Sequence, residues 1–188
     1  MEICEDVYEI KGDGNVYVIL KPEVVVIDTS DAVDILQIKS EIEKIVPVEA
    51  VKKVLLTHLH YDHAGNVDMF PNAEVYASKA AIENYKSSAK DFFFHDISAK
   101  GDDMLRNAKM LPDEINGLKV LKVPGHTRGS VAYLDEKRKL LFSGDTLFRD
   151  CTGRIDLPNS IPGDMDASVE KLKGYLSEGY RLCPGHDY

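Results

Sequence analysis

The chain has 188 residues, 44% of them hydrophobic and 29% charged, with a formal net charge of −9 at pH 7. No stretch is long and apolar enough to span a bilayer, and the acidic balance argues against a nucleic-acid surface, which depends on clustered Lys and Arg. No Gly/Ser or Pro run divides the chain, so residues 1–188 are read as one domain with its own core.

The opening residues, Met1-Glu2-Ile3-Cys4-Glu5-Asp6, are acidic where a secretory signal needs a basic segment followed by an apolar one. Cys4, Cys151 and Cys183 are scattered and form no C-x-x-C pair, which fits a reducing, cytoplasmic compartment. Val7–Ile10, Asn15–Leu20 and Val24–Asp28 are β-rich runs punctuated by Gly12-Asp13-Gly14 and Lys21-Pro22-Glu23, the pattern of an antiparallel meander. Val33, Ile35, Leu36, Ile38, Ile42 and Ile45 then recur at roughly helical spacing up to about Val46, with Ser30 or Asp31 as N-cap.

Lys53–Leu56 predicts a strand, Ala73–Ala77 another, and Ser78–Ser87 a short helix capped by Ser78. From Lys86 to Glu114 the pattern blurs, with Gly101-Asp102-Asp103 and Pro112-Asp113 as breakers; so long an irregular connection is expected to form a pocket wall. Leu118–Val123, Ser130–Leu134 and Lys139–Phe142 predict a second set of strands, and a helix covers about Asp164 to Leu176 before a last strand. Polar side chains follow the strands each time: Pro124-Gly125-His126-Thr127, Ser143-Gly144-Asp145-Thr146 and Pro184-Gly185-His186.

The densest chemistry lies in Thr57-His58-Leu59-His60-Tyr61-Asp62-His63, directly after the apolar run Val54-Leu55-Leu56. His58 and His60, two apart on an extended segment, project the same way, whereas Asp62 and His63 open the next helix and point elsewhere, which suits a second ion. Imidazole nitrogens and carboxylate oxygens hold zinc, iron or manganese. With His126, Asp145 and His186 the chain offers seven potential ligands, enough for two ions with an open position between them. Any one of these histidines alone would be read as structural; the grouping is what points to metal. His95 has no partner in the pattern and is assigned to the core or the surface.

His-x-His-x-Asp-His, a later Gly-His, a Gly-Asp and a terminal Gly-His, in this order, resemble the metallo-β-lactamase superfamily across essentially the whole chain. The resemblance implies an α/β (α+β) fold, a four-layer αββα sandwich with the metals at one edge of two facing sheets. It implies His58, His60 and His126 on one ion, Asp62, His63 and His186 on the other, and Asp145 bridging. Asp28 matches the family's supporting acid behind the metal loop. Two cations about 3.5–4 Å apart lower the pKa of a shared water toward ~7 and polarise a carbonyl. Asp62 then orients the hydroxide, and no Ser or Cys nucleophile is required.

Asp145 and His60 depart from the branches that carry Cys or Ser at the bridge or Glu in the histidine motif. Gly144-Asp145-Thr146-Leu147-Phe148 followed by Gly153-Arg154 is similar to glyoxalase II and its short relatives, which hydrolyse thioesters, and to persulfide dioxygenases. The expected function is therefore metal-dependent hydrolysis of a small thioester, with two divalent ions, zinc first and iron or manganese as the other choices. A mono-iron persulfide dioxygenase using His58, His126 and Asp145, or a lactonase or other small-ester hydrolase, is the alternative. In glyoxalase II the position of Arg154 helps bind a carboxylate of the thiol carrier; Arg128, Arg149 and Arg154 either form a cationic rim for substrate or only pair with Asp150 and Asp156. The chain stops two residues after His186, so the C-terminal helical domain of glyoxalase II is expected to be lacking. His186 is also expected to fray, leaving the Asp62–His63–His186 site the weaker of the two.

Overall fold

The computed structural model describes residues 1–88, 92 and 97–187. His95 lies outside the described residues. Strands β1 (Glu2–Cys4), β2 (Val7–Ile10), β3 (Val16–Ile19) and β4 (Val25–Ile27) form the antiparallel meander. Strands β5 (Lys53–Leu55), β6 (Glu74–Ala77) and β7 (Lys109–Met110) then add in parallel, completing one sheet in the order β1 to β7. The second sheet is built from β8 (Glu114–Ile115), β9 (Leu118–Lys122), β10 (Val131–Asp135), β11 (Leu140–Gly144) and β12 (Arg181–Pro184), in the spatial order β12-β11-β10-β9-β8.

Side-chain alternation sorts these strands into layers. Tyr17 and Ile19 of β3 face Tyr133 and Phe142 of the second sheet, and this core between the sheets also takes Ile27, Leu55 and Leu140. Val16 and Val18, one residue out of phase, turn to the other side and pack with Ile38 and Ile42 of α1 (Ile35–Glu43), Ile82 and Tyr85 of α3 (Lys79–Ser88) and Leu105 of α4 (Ala99–Arg106). On the far side of the second sheet, Ala132, Leu134 and Leu141 pack against Met165, Val169 and Leu172 of α5 (Pro162–Ser177). Helices, sheet, sheet, helix make the four-layer αββα order that the family resemblance implied. Each fully buried Val, Leu or Ile in these cores contributes about 1.5–3 kcal/mol. Among the described residues no helix is long and apolar enough to cross a membrane.

Two expectations are corrected. The first helix begins later and ends earlier than its apolar spacing implied. Asp31 accepts from the Val33 amide (3.3 Å) and closes a tight 3-10 turn, Ala32–Asp34, before α1 starts. That turn carries Val33 and Leu36 out to solvent, 73% and 82% exposed, and leaves Ile38 and Ile42 as the packed face. The connection from Lys86 to Glu114 is not irregular throughout, because it contains α4 and β7. The Ser98 hydroxyl caps α4 by accepting from the Gly101 amide (2.9 Å). Gly101 is no breaker there; a Cβ on it would meet Ile97 at 2.9 Å, so close packing requires the glycine. In the helix predicted from Ser78, Ser78 accepts from the Ala81 amide at 3.1 Å and caps α3.

Candidate metal centre

β10 lies antiparallel to both β9 and β11, and β12 is parallel to β11, so β9, β11 and β12 point the same way. Their C-terminal ends share one edge, and the loops after them carry His126, Asp145 and His186. β4 and β5, paired in parallel, bring Asp28 and the Thr57–His63 loop to the same place, with α2 (Tyr61–Ala64) beginning inside that loop. Gly144 makes the approach possible. Its φ of +50° favours glycine, and a Cβ on it would sit 2.7 Å from the Thr57 side chain.

The structure gathers the expected ligand residues into two groups, His58–His60–His126 and Asp62–His63–Asp145–His186, each with its ligand atoms within 4.8 Å of one another. In the first group every outward ring nitrogen has a partner. His58 Nδ1 lies 3.0 Å from Thr57 Oγ1, His126 Nδ1 donates to the Arg154 carbonyl (2.8 Å), and His60 Nε2 meets the Asn159 amide at 3.1 and 3.2 Å. The inward nitrogens converge. His60 Nδ1 and His126 Nε2 stand 2.8 Å apart, and His58 Nε2 is buried with no hydrogen-bond partner.

In the second group His63 Nδ1 donates to Asp28 Oδ2 (2.8 Å) while His63 Nε2 faces His186 Nε2 at 3.2 Å. Asp145 lies between the groups, its carboxylate 3.1 Å from His63 Nε2, 3.3 Å from His186 Nε2 and 3.6 Å from His126 Nε2. Asp62 Oδ2 approaches His186 Nε2 at 3.3 Å. Behind them Asp28, held at a left-handed φ of 57°, also accepts from the Thr57 amide (2.8 Å) and hydroxyl (2.7 Å).

Burial dominates the electrostatics of the first group: it pushes His60 down to about 4, and His58 and His126 also fall below the usual imidazole value. All three rings are therefore neutral at pH 7, with lone pairs available. In the second group burial opposes charge on His63 and His186, but the carboxylates of Asp145 and Asp62 win, lifting His186 to about 9 and His63 well above its ordinary value. For Asp145 and Asp62 burial works upward and the neighbouring histidines hold both below the usual carboxylate range. A buried nitrogen without a partner and ring nitrogens facing each other at 2.8 and 3.2 Å are what a shared cation resolves, so the donor set fits zinc, iron or manganese.

The site forms the floor of a cavity of about 520 Å³ walled by Tyr61, Phe92, Phe148, Leu157 and Pro158, with Arg154 on its rim. Of the two alternatives for the arginines, the structure shows the pairing for Arg154 and no joint rim. Arg154 lines the cavity but pairs with Asp156 through two contacts of 2.7 and 2.9 Å, Arg128 lines a separate depression beside Ser78 and Lys79, and Arg149 is exposed and outside both linings. Among the described residues of the long connection only Phe92 reaches the cavity wall. Nor does His186 sit on a loose end. The Asn15 amide donates to the Gly185 carbonyl (2.7 Å), and the Asn15 side chain and Tyr17 hydroxyl both donate to the Pro184 carbonyl at 3.1 and 2.7 Å. His186 itself is buried.

Sequence reasoning missed Asn159, Asn15 and Tyr17. Asn159 sits in Leu157-Pro158-Asn159-Ser160, where an Asn reads as a turn residue, and Asn15 and Tyr17 read as parts of a strand; only the tertiary contacts reveal their partners.

Two histidine-rich groups joined by one aspartate at the edge of an αββα sandwich define a metallo-hydrolase scaffold. The chain belongs to the metallo-β-lactamase superfamily, which its residues 10–186 match. It is 30% identical to a probable metallo-hydrolase of Streptococcus pyogenes serotype M6, over 99% of this chain and 84% of that protein. It is 32% identical to a hydroxyacylglutathione hydrolase of Shewanella pealeana over 74% of this chain, and that match spans only 48% of the Shewanella enzyme. Among solved structures, TTHA1623 in a di-iron-bound form superposes with a TM-score of 0.74 at 27% identity, covering 97% of this chain and 92% of that one.

Proposed function

We propose that this protein is a two-metal hydrolase of thioesters, with esters and lactones as the neighbouring substrate class. The observation that carries the reading is Asp145, within 3.6 Å of a nitrogen from each ligand group at the floor of an apolar-walled cavity. His58, His60 and His126 would hold one divalent ion and Asp62, His63 and His186 the other, with Asp145 shared. Such ions, zinc first and iron or manganese through the same donors, supply hydroxide at neutral pH and polarise the substrate carbonyl.

The chain's own residues do the rest. Asp62, only partly exposed, stays ionised and can accept a hydrogen bond from the attacking water, orienting it. Phe92, Phe148, Leu157 and Pro158 exclude bulk water from the acyl group. Among the described residues Arg154 is the one arginine on the wall, so a carboxylate on the thiol carrier must compete with Asp156 for it. The hydroxyacylglutathione hydrolase relative supports an acyl-thiol substrate, while the 48% span leaves its glutathione specificity to be tested. A cytoplasmic setting is supported by three unbridged cysteines, Cys4, Cys151 and Cys183.

The test is hydrolysis of a panel of acyl-thiol esters, glutathione and non-glutathione, by zinc-loaded protein. Turnover should depend on metal and vanish in His58→Ala and Asp145→Ala; unchanged turnover in either variant overturns the reading. The runner-up reading is a mono-iron persulfide dioxygenase on His58, His126 and Asp145; the di-iron form of TTHA1623 supports iron as a metal for this scaffold but in two sites, not one. Oxygen uptake with a thiol persulfide by iron-loaded protein, without thioester cleavage by the zinc form, would decide for it.

A further inference from the structure

Two of the three imidazoles in the first group have their tautomer fixed by their surroundings. His126 Nδ1 faces only the Arg154 carbonyl, an acceptor, at 2.8 Å, so it carries the hydrogen and Nε2 keeps a lone pair. Thr57 Oγ1 donates to Asp28 Oδ2 (2.7 Å), so it accepts from His58 Nδ1, and His58 Nε2 keeps its lone pair. His60 is different. Its Nε2 meets both ends of one side-chain amide, Oδ1 of Asn159 at 3.2 Å and Nδ2 at 3.1 Å.

His60 can offer Nδ1 to a metal only if the hydrogen is on Nε2, donated to Asn159 Oδ1. It can hydrogen-bond His126 Nε2 across 2.8 Å only if the hydrogen is on Nδ1, with Nε2 accepting from Asn159 Nδ2. The ring thus has two uncharged states, and the Asn159 amide suits each by turning over. The backbone about it need not move: the Asn159 carbonyl accepts from the Arg128 amide (3.0 Å), the Ser160 hydroxyl donates to the His126 carbonyl (2.8 Å), and the Ile161 amide donates to the Gly125 carbonyl (2.8 Å). The same segment supplies Leu157 and Pro158 to the cavity wall, so the wall and the first ligand group are one mechanical unit.

We propose that Asn159 is a positioning residue for His60, its amide presenting oxygen when His60 serves a metal and nitrogen when His60 bonds to His126. The proposal rests on the metal reading above. It accounts for an amide rather than a carboxylate at this point. An aspartate would only accept, and would hold His60 permanently in the ligating form; a leucine of similar volume would leave Nε2 unpaired in both.

The test uses full-length, nitrogen-15-labelled protein, first stripped with a chelator and then loaded with zinc. Two-bond proton–nitrogen spectra should show the His60 hydrogen on Nδ1 in the stripped protein and on Nε2 in the loaded one. Asn159→Asp should keep Nε2 protonated in both and bind the first zinc at least as tightly as the parent. Asn159→Leu should weaken one zinc of the two by about 10–100-fold in chelator competition, as loss of an outer partner of a ligating histidine does. A single His60 tautomer in both states of the parent overturns the proposal, as does parental zinc affinity in Asn159→Leu. Should the leucine variant fail to fold, the parent and aspartate spectra decide. A parent that binds no zinc overturns the metal reading as well; a parent that binds zinc with the other results overturns this inference alone.

Discussion

Asp28 offers a sharp separation between holding the fold and holding the metal. Its carboxylate accepts three hydrogen bonds, from the Thr57 amide (2.8 Å), the Thr57 hydroxyl (2.7 Å) and His63 Nδ1 (2.8 Å), all buried. Asp28→Ala would leave all three donors unpaired, and at about 1–3 kcal/mol for each buried group left unsatisfied, a loss of roughly 3–6 kcal/mol is expected after partial relaxation. Asp28→Asn keeps shape and volume. The amide oxygen can still accept from the Thr57 backbone amide, but the NH2 group takes the place of Oδ2, where it donates to Thr57 Oγ1 and to His63 Nδ1, moving the His63 ring hydrogen to Nε2, the nitrogen aimed at His186 and Asp145. The asparagine variant should therefore lose only about 1–2 kcal/mol of stability, one neutral bond's worth. It should lose about 10–100-fold in affinity for the ion held by His63, equivalent to roughly 1.4–2.7 kcal/mol. Urea denaturation of the chelated protein and competition with a chromophoric chelator measure the two quantities separately. Two ions bound with parental affinity in Asp28→Asn would refute the tautomer argument.

The two remaining predictions concern the same centre. With metal removed by chelation, stability should fall on both sides of neutrality. The unfolded chain protonates His60 near 6.5 while the folded ring resists until about 4, so stability present above 6.5 is lost as pH falls through that window, by up to about 3 kcal/mol at roughly 1.4 kcal/mol per pH unit, with His58 and His126 acting in the same direction. His186, raised to about 9, contributes stability that is complete below 6.5 and is lost as pH rises through 9. Urea midpoints from pH 5 to 10 check this; a flat profile contradicts it, and zinc should abolish the alkaline decline because ligating histidines are already deprotonated. For the anchor of β12, Asn15→Ala should lower occupancy of the ion held by His186 while the other ion stays bound, measured by metal content after dialysis. Equal loss of both ions would contradict that anchoring role.

The four-layer order came through the family resemblance, whereas the strands and the candidate ligands were legible in the residues for a common reason. β3 to β5 are short, almost wholly apolar runs, the mark of strands buried on both faces, and each ligand follows a strand end closely, where topology leaves it little choice of direction. Helix α1 was legible in kind but not in phase, since a single Asp31 side-chain bond sets where its first turn closes. Helix α4 was hidden because Gly101 reads as a breaker until Ile97 is seen packed against it. The rest of the site depended on contacts far apart in sequence: Asn159 lies 99 residues from His60, and Asn15 lies 169 from the Pro184 carbonyl it holds. Periodicity carries no information about such pairs.

The same contrast bears on which site holds its ion more weakly. Position near the chain end pointed to the His186 site on grounds of fraying, yet Asn15 and Tyr17 bonds hold the Pro184–Gly185 segment. The electrostatics give a different reason to expect that ranking. His58, His60 and His126 are neutral before any ion arrives, whereas His63 and His186 are held protonated by Asp145 and Asp62 and must release protons to bind. Any weakness of the Asp62–His63–His186 site should therefore shrink as pH rises, which a frayed chain end would not produce.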